Sequence, residues 1–144
     1  MTVIADPIEG VVNYLRENVD LAQLVDSRVY GSEFPSSQVG ANPRTKAVVV
    51  TAAGRGFGGA GFDRTDIPLQ QVRVDLFCYG ETPYQAARVM RAVAGAMKGV
   101  RGYTSSQGGA GIKSAVLTAG PIQLREPDTG WFVLVITAEV LAAE

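Results

Sequence analysis

The chain has 144 residues, 47% apolar and 19% charged. That is enough apolar chain for one ordinary core, and too apolar for an intrinsically disordered segment. Its 13 basic and 14 acidic residues leave a net charge of −1, which excludes a general nucleic-acid surface built on a basic excess. With no histidine and one cysteine, Cys78, an imidazole base, a histidine-dependent triad, an internal disulfide and a thiolate zinc site are excluded as well.

Met1–Asp6 lacks the basic region and apolar run of a signal peptide. No apolar stretch approaches the roughly 20 residues that span a bilayer. The expectation is a soluble chain, made in a reducing compartment, with no membrane contact.

Asp6-Pro7-Ile8-Glu9 opens a helix: Asp6 caps, Pro7 suits the first helical position and Glu9 completes a capping box. Ile8, Val11, Val12 and Leu15 recur at helical spacing, which predicts a helix to about Asn18. Asp20 then caps a short turn carrying Leu21, Leu24 and Val25, and Arg28-Val29-Tyr30 is a candidate edge strand. Gly31–Arg44, with Pro35, Ser36, Ser37, Gly40 and Pro43, reads as a loop.

Lys46–Ala53 is a continuous β-branched run, and Gln70–Tyr79 alternates cleanly, with Val72, Val74, Leu76 and Cys78 on one side. Cys78 therefore reads as a small buried hydrophobe. The two runs bracket a glycine-rich segment, Gly54–Asp66, expected to be a flexible loop.

Thr82-Pro83 starts the main helix, with Ala86, Ala87, Met90, Val93, Ala94 and Met97 as its apolar stripe and Gly99 and Gly102 ending it. Gly108–Gly111 is a second glycine loop. Ile112–Leu124 is a strand, Glu126–Gly130 a turn and Trp131–Leu141 the last strand, with Phe132, Leu134, Ile136, Ala138 and Val140 sharing a face. The order predicts a single α+β domain over 1–144, an antiparallel-rich sheet of about four strands with two helices packed on one face.

Two glycine motifs imitate phosphate loops. Gly54-x-Gly56-x-x-Gly59 follows a strand, but no helix begins within the glycines to hold a pyrophosphate. Gly111-Ile112-Lys113-Ser114 breaks the glycine–lysine adjacency and runs into a strand. No cofactor is expected. Carboxylates are scattered, Asp63 and Asp66 sitting in a loop, so the chain reads as built for contact rather than catalysis.

Phe57 and Phe62, flanked by Arg55 and Arg64, form the kind of aromatic–arginine segment that orders against a partner. Folding of both rings onto the domain's own core is the competing reading. Arg88 and Arg91 read as a solvated helix face and as secondary interface candidates.

Leu21–Val25 with Ser27-Arg28-Val29-Tyr30, then Val72-Arg73-Val74-Asp75-Leu76-Phe77-Cys78-Tyr79, the alanine-rich Tyr84–Lys98 helix, and Arg125-Glu126-Pro127-Asp128-Thr129-Gly130-Trp131-Phe132 stand in that order. Together they resemble the tail terminator (tail completion, head–tail joining) proteins of long-tailed bacteriophages. The Gly54–Asp66 insertion departs from the family's shorter connection.

The resemblance implies a non-enzymatic virion protein. It would form a ring, usually a homohexamer, that caps the tail tube protein, stops polymerisation and offers a docking surface to a head-completion or neck protein. Genomic DNA would pass through the lumen without specific binding, and assembly would occur in the host cytoplasm. Val29, Tyr30, Arg55, Phe57, Phe62, Arg64, Arg88 and Arg91 are the interface candidates. The alternatives are another neck or tube component, such as a head-closure protein, and a small anion- or nucleotide-binding enzyme.

Overall fold

In the computed structural model, which describes residues 7–26, 28–31, 46–52, 69–104, 111–125 and 131–143, Pro7 begins the first helix, α1 (Pro7–Arg16). Glu9 lies in its first turn, where a carboxylate complements the positive end of the helix dipole. Val11, Val12 and Leu15 are buried along one side. The helix stops at Arg16 because Asn18 turns extended (φ −75°, ψ 122°) to cap the next one, its side-chain oxygen accepting the Leu21 amide at 3.0 Å. Asp20 is therefore inside α2 (Val19–Val25) rather than its cap.

Strand β1 (Val29–Gly31) runs parallel to β2 (Ala47–Ala52), Val29 facing Val48. β3 (Leu69–Gly80) pairs antiparallel with β2 on one side and with β5 (Phe132–Ala143) on the other. β4 (Gly111–Arg125) pairs with β5, giving the order β1-β2-β3-β5-β4. The expectation of about four strands and two helices is corrected: among the described residues there are five strands in a mixed sheet and three helices. β1 matches the candidate edge strand at Arg28-Val29-Tyr30, but three residues carry too little alternation to fix their place or direction in the sheet. Its parallel direction is set by where α1 and α2 deliver the chain.

One face of the sheet is the core. Val72, Val74, Leu76 and Cys78 of β3 lie beside Val140, Ala138 and Ile136 of β5, and the helices cover them with Leu15, Leu21, Val25, Val93 and Met97. The third helix, α3 (Pro83–Gly99), is capped by Thr82, whose hydroxyl accepts the Gln85 amide at 3.2 Å. The Gln85 side chain in turn accepts the Glu81 amide at 3.1 Å, so the entry into α3 is held from both sides. Tyr14 ties α1 to α3 by donating to the Ala96 carbonyl at 2.6 Å.

The buried row of α3 is Ala86, Val89, Val93, Ala96 and Met97; Ala87, Met90 and Ala94 of the expected stripe are half-buried on its flank. Alanine spacing alone cannot rank these rows; contact with β3 and β5 does. In β5, Ile136, Ala138, Val140 and Ala142 are buried. Phe132 and Leu134, expected with them, are half-buried: their β4 neighbours are the exposed Arg125, whose guanidinium lies 5.0 Å from the Phe132 ring centroid, and the exposed Gln123.

Gly80 is where β3 meets α3. A Cβ there would lie 2.4 Å from the Ala86 nitrogen and 2.9 Å from the Gln85 carbonyl carbon. Both are backbone atoms of α3's first turn, so the helix itself would have to move. Gly80→Ala should cost about 1–3 kcal/mol of stability, read from its urea midpoint; an unchanged midpoint would show that α3 shifts freely.

Candidate interaction surfaces

The residues singled out from sequence fall into three groups. Arg55, Phe57, Phe62 and Arg64, with the whole Gly54–Asp66 segment, lie outside the described residues, as do Asp63 and Asp66. Val29 is buried in the core and Tyr30 half-buried, so any contact by β1 runs through its backbone edge and Tyr30 rather than the Val29 side chain. Arg88 and Arg91 are exposed on α3. The structure does not bring β1 and α3 together: β1 forms one sheet edge, while α3 packs over β3, β5 and β4.

The described residues carry little that resembles reactive chemistry. The Cys78 thiol is fully buried and burial pushes its ionisation far up, its hydrogen directed to the Leu76 carbonyl at 3.8 Å. Burial also raises Tyr14, against a smaller opposing effect of the Arg101 charge. Asp75 accepts the Thr137 hydroxyl at 2.7 Å in an ordinary cross-strand pair. No group of three or more metal-ligating side chains gathers among the described residues. Gly111 of the second glycine motif opens a strand, β4, and not a helix amino terminus that could hold a phosphate; the first motif, Gly54–Gly59, lies outside the described residues.

The surface that sequence reasoning missed is β4. Thr118–Arg125 is exposed throughout. Val116, Ile122 and Leu124 are 62%, 57% and 49% exposed. They stand opposite Glu139, Val135 and Val133 on the side of the sheet away from the helices. Ile122 and Leu124 extend a second apolar cluster there, in which Val49, Val133, Val135 and Trp131 are buried and Phe77 and Tyr79 half-buried. The Trp131 indole meets the Tyr79 ring edge-on, centroids 5.8 Å apart.

Tyr103 closes only the start of β4's outer edge, exchanging backbone hydrogen bonds with Ile112 at 2.8 and 2.9 Å. From Ser114 onward no described strand lies against that edge. The signal for this was in the sequence: Pro121 inside a strand pattern marks an edge, since proline has no amide to give a second neighbour.

The fold is like that of a solved structure. The chain superposes on one described as "Virion of native gene transfer agent (GTA) particle", with a TM-score of 0.60 and 16% sequence identity over 94% of this chain and 93% of that one. The two share a fold. No protein-family model matches the chain, and no curated protein does. Among the described residues, no helix is long and apolar enough to cross a membrane.

Proposed function

We propose that this chain is a structural virion protein, the tail terminator of a phage-like particle. Its copies close into a ring, six-fold in the first instance, that caps the tail tube, halts its growth and presents a docking surface to the head-completion proteins. The observation that carries this reading is the end-to-end fold likeness to a virion chain, which spans nearly the whole of both. The ordered motifs from Leu21 to Phe132 narrow it from virion protein to terminator. The open, partly apolar β4 edge is the kind of surface that a protein working by contact leaves exposed. Arg55, Phe57, Phe62 and Arg64 are proposed as further contacts to the same partners.

The test is ring mass by light scattering and electron microscopy, for the pure protein and with tail tubes added. Closed rings of about six copies, seated on tube ends and blocking their extension, are expected for a closed heterologous contact. A strict monomer in both arms overturns the reading. Rings that bind the head's neck proteins but never the tube favour the head-closure alternative.

A further inference from the structure

The most ordered charge pattern on the molecule lies on its helices. Tyr84, Arg88, Arg91, Gly95 and Lys98 follow one another at steps of four and three, so they form one stripe along α3. All five are exposed, Tyr84 by 80%. From Pro83 to Arg101 there are four cations and no carboxylate. Among the described residues none forms an ion pair or hydrogen bond with Arg88, Arg91 or Lys98, whereas Arg101 is tied to the carbonyls of Lys98 and Val100 at 3.0 and 2.7 Å. Gly95 leaves the middle of the stripe bare, with nothing within 4 Å of a built Cβ.

The opposite pattern lies on α1 and α2. Pro7–Asp26 has four carboxylates, Glu9, Glu17, Asp20 and Asp26, against one cation, Arg16. All four are exposed. Arg16, itself exposed, donates to the Val29 carbonyl at 3.0 Å. Glu17 accepts from Tyr103, and Asp26 pairs with Arg28 at 3.2 Å. Among the described residues, Glu9 and Asp20 have no such side-chain partner. Beside Asp20, Val19 is 70% exposed. Among the described residues, each set thus presents unpaired charge of one sign with an exposed apolar side chain on the same element, Tyr84 on α3 and Val19 on α2.

The overall balance decides what such a division is for. A stripe meant for a polyanion comes with a basic excess; here the net charge is −1, so positive and negative charge are separated rather than unequal. Separation of that kind suits a partner with the same separation, which is another copy. Two different patches that complement each other make a head-to-tail contact, the class that closes rings.

We infer that the basic α3 stripe of one copy, centred on Arg88 and Arg91, docks on the acidic α1–α2 surface of the next, centred on Glu9 and Asp20. The contact rests on the ring reading and names the surface that closes the ring. It leaves the β4 edge for the tube or the neck.

The experiment uses two full-length variants. Arg88→Glu/Arg91→Glu makes both patches acidic, and Glu9→Arg/Asp20→Arg makes both basic. All four positions are exposed, so both variants should melt as cooperatively as the parent by circular dichroism. Alone, each should raise the concentration for half-assembly by about tenfold or more, like charges now facing each other. Mixed one to one, they should form rings again, because every contact in an alternating ring regains opposite charges. Parent assembly should also weaken as salt rises from about 0.05 to about 0.5 M, where screening is nearly complete beyond a few ångströms.

Parent rings with the arginine variant assembling normally, or with the mixture failing to assemble, would overturn the contact and leave the ring reading standing. Salt-insensitive assembly would count the same way. Loss of duplex-DNA retention in the arginine variant, with its rings intact, would assign the stripe to a polyanion instead. A monomeric parent, even with tubes present, would remove the ring reading itself.

Discussion

Leu76→Ala is expected to lower the stability of the fold by about 2–5 kcal/mol, the range for a leucine deleted from a close-packed core. Leu76 is fully buried in β3, the central strand, between β2 and β5 and beneath the helices. Its loss leaves a cavity whose walls are strands paired on both sides and cannot easily close. Leu134→Ala, by contrast, should cost clearly less. Leu134 sits on the same face of the sheet but is half-buried beside the exposed Gln123. Urea unfolding of both variants gives the comparison. Equal losses would mean that the sheet is covered to its end, contrary to the burial described above.

Ile122→Lys/Leu124→Lys should do the reverse: spare the fold and remove the function. Both side chains are about half exposed, so the melting free energy should stay within about 0.5 kcal/mol of the parent. Placing two ammonium groups on an apolar strip that a partner must desolvate should weaken joining to the tube or neck by about thirtyfold or more, the scale of lost interface hot spots. Binding of the variant ring to tail tubes, followed by sedimentation, reads the effect. Unaltered binding would show that this strip stays open in the assembled particle and that another surface makes the joint.

These two experiments separate the faces of the same sheet, and only one face was legible from residue order. The alternation of Val72, Val74, Leu76 and Cys78 marks the core side of β3 because Gln71, Arg73 and Asp75 occupy the alternate positions. β5 gives no such contrast. Phe132 to Val135 is apolar on both sides, so period two assigns no inside. The neighbours decided it: Gln123 and Arg125 across from Leu134 and Phe132, and Phe77 and Tyr79 across from Val135 and Val133. The same holds on α3, where alanines fill several rows and only packing shows that Val89 and Ala96 face inward.

The candidate contacts divide in the same way. Arg88 and Arg91 could be placed on a helix surface from spacing. That no carboxylate among the described residues answers them is a fact of the tertiary arrangement. Pro121, inside the Ile112–Leu124 strand pattern, is the residue-level sign that β4 is an edge strand. Val29 read as an edge residue and is one by backbone, yet its side chain points into the core.

Composition and order alone determined that this chain has no histidine chemistry, no internal disulfide, two helix-start signals and long strands in α+β succession. Each of these depends on residue identity or on contacts a few positions apart, which survive in any fold. Which strands neighbour one another, that β1 lies parallel, and which apolar rows are covered or left bare depended on contacts between residues tens of positions apart. Local preference is silent there, because the free energy that chooses among such pairings comes from burying whole faces together.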